Sequence, residues 1–287
     1  MWNLCGISLA VHNLDLAEHF YKNVLGLGAP KIRTETECKF ASSHSIIRLK
    51  KPSNKLIRNE EGILTSVLNR YVMIEIPDLR KAKTSLVKTG ANFQQIKSLQ
   101  GDGACLCIAL PCQNIMIVCE ASSKIFEEDI EQVTLKKWKL HHVNLQAADV
   151  RKSVEFLTMN LGLREGSWKA PQEKGDFSIE PKDLSVFPLG AFNGGLHIIK
   201  PDPGFALRNN FAHNPSIGGH PAVAVQDIQA VKNRLEREDI QVTDAGTYAM
   251  RNMHQIYCLD PSGNVIEINQ YIPDQFFTEI CLERRRN

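Results

Sequence analysis

Leu4-Cys5-Gly6-Ile7-Ser8-Leu9-Ala10-Val11-His12-Asn13 and Leu140-His141-His142-Val143-Asn144-Leu145-Gln146-Ala147-Ala148-Asp149 carry one pattern twice. Each puts apolar residues on alternate positions, as a strand with one covered face does, and each ends on a polar residue. Phe20 and Phe156 follow seven residues later, then Leu25-Gly26-Leu27 and Leu161-Gly162-Leu163, all at a constant offset of 136. A repeat of this length governs the reading of everything around it.

Two further segments recur. Tyr71-Val72-Met73-Ile74-Glu75-Ile76-Pro77-Asp78 returns as His220-Pro221-Ala222-Val223-Ala224-Val225-Gln226-Asp227, and Leu110 to Val118 returns as Asp260 to Ile268. The offset grows to about 150, which puts an insertion in the second copy between roughly 166 and 219. Helical stripes follow the first strands, Leu16, Phe20 and Val24 in one copy and Val150, Val154, Leu157 and Leu161 in the other. Gly162 suits the stop of the second of these helices. The fold class is therefore α+β, built of tandem βαβββ units: two modules, each with a curled mixed or antiparallel sheet covered by helices on one face. The boundaries read as 1–120 for the first module, 121–139 for a polar linker, 140–272 for the second module and 273–287 for a tail.

Composition narrows the function. The chain has 287 residues and a net charge of +2 from 34 basic and 32 acidic residues, which gives no general electrostatic grip on nucleic acid. Met1 to Leu14 has neither the charged start nor the apolar core of a signal peptide, and no stretch reaches the ~20 apolar residues of a membrane span. Eight cysteines in a chain this long do not make a disulfide framework; several lie in apolar strands, where Cys serves as a small hydrophobe. A reducing cytoplasm is the expected location.

Strand parity then picks out a site. If Val143 and Leu145 lie under helices, His142, Asn144 and Gln146 face the open side of the sheet, and His141 faces away with the apolar set. The same rule puts His220, Ala222 and Ala224 on the open side, and Glu267 with Asn269. A curled sheet would bring His142, His220 and Glu267 together, two imidazoles and one carboxylate, a set that suits Fe(II) with open positions, or Mn(II) and similar divalent ions. The matching residues of the first copy are Gly6, Tyr71 and Ile117, none of them a metal ligand in this setting. The first module is therefore expected to be a scaffold. His12, His19 and His44 fall in it and are expected to do no chemistry.

These residues resemble the vicinal oxygen chelate superfamily of glyoxalases, bleomycin-resistance proteins and dioxygenases. The resemblance runs over about residues 4 to 271. It rests on His142-Val143-x-Leu145 with Leu161-Gly162-Leu163, on Gly219-His220 leading to Asp227, and on Tyr257-Cys258-Leu259-Asp260-Pro261-Ser262-Gly263-Asn264-Val265-Ile266-Glu267. Two modules with ligands only in the second are most like the type I extradiol ring-cleaving dioxygenases. The resemblance implies an Fe(II) enzyme acting with O2 on an aromatic diol or a related vicinal-oxygen small molecule. It also implies His197 for proton handling, Tyr257 as a catalytic hydrogen-bonding phenol, and a symmetric homo-oligomer.

One position departs from the family. Counted back from Asp260-Pro261-Ser262-Gly263, a further active-site His of that family falls on Tyr248, a phenol that cannot carry positive charge. Tyr248, Asn144 and His213, the last in a loop, are expected to contact substrate, and a bulkier or more polar compound is expected to be preferred over simple catechol. His254 shares the parity of Ile256 and is expected to be structural. Two alternatives stay open: a glyoxalase- or epimerase-type isomerase or lyase, in which a metal stabilises an enediolate, and a non-catalytic resistance or ligand-binding protein. The first often draws ligands from two modules, which Gly6, Tyr71 and Ile117 argue against.

Overall fold

The structure, a computed structural model, describes residues 2–42, 45–52, 71–98, 103–121, 138–168, 179–189, 194–247 and 252–272. In the first half these form β1 (Asn3–Ala10), α1 (Leu14–His19), β2 (Ile32–Arg33), β3 (Glu37–Ser42), β4 (Ser45–Lys50), β5 (Tyr71–Ile76), α2 (Leu79–Thr89), β6 (Phe93–Lys97), β7 (Ala104–Ala109) and β8 (Ile115–Glu120). In the second half they form β9 (Lys139–Gln146), α3 (Val150–Leu161), β10 (Leu184–Pro188), β11 (Gly195–Ile199), α4 (Phe205–Arg208), β12 (His220–Ala224), α5 (Ile228–Arg237), β13 (Thr243–Gly246), β14 (Met253–Leu259) and β15 (Val265–Tyr271).

The strands make two mixed sheets, one of eight strands in the order β2-β3-β4-β1-β5-β8-β7-β6 and one of seven in the order β10-β11-β9-β12-β15-β14-β13. The chain is α+β, as the repeat implied. Among the described residues the unit that starts at β9 carries two strands after its helix where the other three units carry three. Asn13, Asp78, Asp149 and Asp227, the polar ends of the repeated strands, are the N-caps of α1, α2, α3 and α5, each accepting from backbone N–H groups of the first turn. Gly162 closes α3 at φ 67°, a left-handed conformation that costs glycine little.

Register repeats between the sheets across the strands that carry the site. Met73 lies opposite Gly6 and beside Ile117, as Ala222 lies opposite His142 and beside Glu267. Cys107 faces Ile117 as Tyr257 faces Glu267, and Arg48 pairs with Ser8 as His197 pairs with Asn144. Hydrogen bonding therefore supports the equivalence of Gly6, Tyr71 and Ile117 with His142, His220 and Glu267, and the residues added in the second half precede Gly195. Each sheet also keeps a bulge at one place: the pairing skips Cys5 in β1 and His141 in β9.

The covered faces share one core. Ile7, Leu9 and Val11 of the first half and Val143, Leu145, Val223, Ile266 and Ile268 of the second are buried in the same apolar cluster. Helices of the two halves meet there: the Ser85 hydroxyl donates to the Met159 carbonyl (2.9 Å) and Arg234 Nε to the Val24 carbonyl (2.7 Å). The buried Tyr21 hydroxyl donates to Asp260 (3.1 Å), joining α1's extension to the turn before β15. Among the described residues no helix is long and apolar enough to cross a membrane.

Two expectations need correction. Leu16 is 56% exposed; the buried side of this segment is Leu14, Ala17, Phe20, Tyr21 and Val24. Leu16 lies two residues, about 200°, round the helix from the buried Leu14, and the chain then widens into a π turn over Phe20–Val24. The cysteines are also not all free hydrophobes. Cys105 and Cys119, directly opposed on β7 and β8 with Cα atoms 4.6 Å apart, form a disulfide, while Cys5, Cys38, Cys107, Cys112 and Cys258 take no part in one.

Candidate metal centre

On the second sheet, the face turned away from the core is polar. Glu267 comes from the middle of β15, His142 from β9 and His220 from the first residue of β12, all less than 3% exposed. His220 Nε2 and His142 Nε2 lie 3.2 and 3.3 Å from the same oxygen, Glu267 Oε2. Among the described residues these three are the one group of His, Cys, Asp and Glu able to hold a metal, their ligand atoms within 4.8 Å of one another. Donors bound at right angles to one ion at about 2.2 Å lie roughly 3.1 Å apart, so the observed spacing fits three neighbouring positions on one centre.

Electrostatics favours the ligating protonation states. Burial pushes the His220 imidazole down towards its neutral form, with Glu267 opposing. Burial alone would push the Glu267 carboxyl up, but His142 and His220 together hold it well below the usual carboxylate range. The second carboxylate oxygen, Oε1, accepts from Gln255 Nε2 (2.6 Å) and Asn269 Nδ2 (3.2 Å), which leaves Oε2 to the imidazoles.

A cavity opens over this group. His142, His220 and Glu267 line its floor with Asn144, His197 and Tyr257, and its walls include Trp168, Leu184, Val186, Ile199, Phe205 and Phe211. The His197 ring stacks on that of His142 with centroids 4.0 Å apart, and the Tyr257 ring stands edge-on to His220 at 5.7 Å. Asn144 sits in register between His197 and His220. Buried Asn144 Oδ1 and Gln255 Oε1 have no hydrogen-bond partner in the protein, as befits acceptors that face a ligand or its water. The donor set, its spacing and these two bare oxygens fit a divalent ion with open positions.

The other residues named from sequence divide. His213 is buried, its Nδ1 2.8 Å from the Thr243 hydroxyl, and does not line the cavity. His254 pairs with Asp244 at 2.7 Å, in keeping with a structural role. Tyr248 and His44 lie outside the described residues. His141 does not face away: as the bulge residue it breaks the alternation, and its Nδ1 lies 2.9 Å from His142 Nδ1. Gln255 and Asn269 were missed although their parity with Tyr257 and Glu267 carries the signal. His141 offered no such signal, because a bulge is set by pairing and not by residue type.

The first sheet's equivalent face is closed. Cys5, Tyr71, Met73, Cys105, Cys107 and Ile117 pack there as a separate apolar cluster. Arg48, at the place of His197, is paired to Glu37 (2.7 Å) and to the Tyr71 hydroxyl (3.1 Å).

Residues 139–268, which hold all three candidate ligands, match the family model described as the Glyoxalase/Bleomycin resistance protein/Dioxygenase superfamily. No curated protein matches the chain. Among solved structures it is similar to the 2,3-dioxygenase LapB from Pseudomonas sp. KL28, with 15% identity over 96% of this chain and 94% of that one and a TM-score of 0.65. It is also similar to homoprotocatechuate 2,3-dioxygenase from Arthrobacter globiformis, at 15% identity over 95% and 81% of the two chains with a TM-score of 0.62. A catechol 2,3-dioxygenase aligns at 14% identity over 95% and 91%, TM-score 0.61. At these identities the likeness is one of fold.

Proposed function

We propose, from a second half that matches the model of the glyoxalase, bleomycin-resistance and dioxygenase superfamily, that this chain is an Fe(II)-type dioxygenase cleaving an aromatic vicinal diol with O2. The observation that carries the reading is the buried His142–His220–Glu267 group on the floor of an aromatic-walled cavity. An ion held there would make the hydroxyls of a chelated diol more acidic and hold diol and O2 side by side.

The remaining work falls to side chains of this protein. Trp168, Phe205 and Phe211 exclude water and offer flat apolar walls to an aromatic ring. His197, fixed by its stack on His142, takes a proton from the diol and holds it close to the reacting oxygens. The Tyr257 hydroxyl and Asn144 hydrogen-bond the substrate oxygens, and Asn144 Oδ1 gains the partner it lacks. An enediolate-forming isomerase that shares one ion between two modules is disfavoured by the packed face around Met73 and Ile117.

Anaerobic loading with Fe(II), followed by oxygen-uptake measurements across alkyl- and aryl-substituted catechols, tests this. One O2 consumed per diol, with a ring-opened product, is expected. Metal-loaded protein that takes up no O2 with any of them overturns the reading.

A further inference from the structure

We infer that His141 is a positioning residue: its unprotonated Nδ1 accepts the Nδ1–H of His142 and so keeps the Nε2 lone pair of His142 aimed at the metal position. The inference rests on the proposed ligand role of His142 and goes beyond it in assigning the tautomer of both rings. No charge change is involved.

The assignment follows from the hydrogen bonds. Asn269 Nδ2 lies 3.2 Å from Glu267 Oε1 and 3.4 Å from His141 Nδ1. Glu267 Oε1, the carboxylate oxygen not shared with the two imidazoles, needs a donor, so this atom is the amide nitrogen, and the Asn269 oxygen is the one left without a partner. The second N–H of that nitrogen is then directed at His141 Nδ1, which makes Nδ1 an acceptor and puts the His141 proton on Nε2. His142 Nδ1, 2.9 Å from that same acceptor, must be the donor of the main hydrogen bond to its single lone pair, and the 3.4 Å approach of Asn269 Nδ2 is the weaker share. A neutral imidazole that donates from Nδ1 has its lone pair on Nε2, and His142 Nε2 is the atom 3.3 Å from Glu267 Oε2. The rings cross at 73°, an edge approach suited to a nitrogen-to-nitrogen hydrogen bond.

The first half tests whether the fold itself needs this arrangement. Its bulge is kept, so the backbone device is common to both sheets. At the bulge stands Cys5, whose thiol donates to the Met73 carbonyl, and Cys119 stands where Asn269 does, opposite Cys105 as Asn269 is opposite Gln255. Where Gly6 replaces the ligand, the imidazole behind it and the amide that fixes it are replaced too. A role in folding alone would not tie His141 and Asn269 to the presence of His142.

Partners that orient a metal-bound His typically change metal affinity 10–100-fold when removed. Affinity for Co(II) would be measured by anaerobic chelator competition for wild type, His141→Phe, His141→Asn and His142→Ala, with thermal unfolding of each metal-free protein. Asn keeps an acceptor oxygen about where His141 Nδ1 lies. The expected result is a loss on the order of 10–100-fold in His141→Phe, recovery in His141→Asn and near-complete loss in His142→Ala. Wild-type affinity in His141→Phe, with His142→Ala defective, overturns the inference and leaves the function reading standing. Wild-type affinity in His142→Ala overturns both. Nitrogen NMR of histidine-labelled wild type needs no variant: protonation of His142 at Nδ1 and of His141 at Nε2 supports the inference, and a His142 protonated at Nε2 overturns it.

Discussion

The two sheets share the order of seven strands, the pairing around the site and even a bulge, yet one encloses a polar centre and the other a plug of sulfur and hydrocarbon. What differs is the residues on one face. Gly6 marks this: a Cβ there would lie 2.8 Å from Met73 Cε and 3.2 Å from the Ile46 carbonyl, so the space a ligand would use is already filled. In the second sheet the residue equivalent to Met73 is Ala222, and the small side chain leaves room for His142 and for what it binds. The burial that keeps the first half together is on the covered face and is common to both halves; the open face can gain or lose a site without disturbing that core. A repeat thus carries its own control experiment.

The largest effect expected from breaking this contrast is at the ligands. His142→Ala, His220→Ala or Glu267→Ala should each reduce divalent-metal affinity by more than about 100-fold, beyond the effect of losing a partner outside the ligand set. Metal content after dialysis checks this. Ile117→Ala, at the place of Glu267 in the first sheet, should leave metal content unchanged.

Next come two residues at one position of the repeat. His197→Ala should retain metal and lose about 10²–10⁴-fold in turnover, the range of an acid–base group. Arg48→Ala should do the converse, with metal and turnover kept and about 2 kcal/mol of stability lost, because Glu37 and Tyr71 would be left without their buried partner. Steady-state rates and denaturant unfolding of both variants decide the point. Equal stability losses in the two would show that His197 only packs.

The smallest effect sharpens the account of the plug. Ile117→Val should cost about 1 kcal/mol, as a deleted methylene in a closed core does, and leave metal affinity and rate untouched. A change in turnover would mean that the two open faces communicate through β5 and β12 or the core between them.

Much of this was legible in the chain. Alternation in Leu140–Asp149 placed Val143 and Leu145 in the core and His142 in the site, because side chains of a regular strand must alternate. The same rule failed at His141, where the bulge adds a residue to the strand, and the helical period was misplaced at Leu16, where the buried stripe runs through Leu14, Ala17 and Tyr21. Gln255 and Asn269 had the right parity, but an amide in a strand announces nothing until the carboxylate it holds is known.

The sequence by itself determined the repeat, the α+β class, the covered face of each sheet and the identity of the three candidate ligands, since all of these depend on local period and on residue type. Tertiary structure alone decided that Glu267 Oε2 meets both imidazoles, that His197 stacks on His142, that His213 turns to Thr243, and that Cys105 meets Cys119. The reason is physical: such contacts are set by sheet curl and by pairing between strands far apart in the chain, and neither is encoded in the period of any single strand.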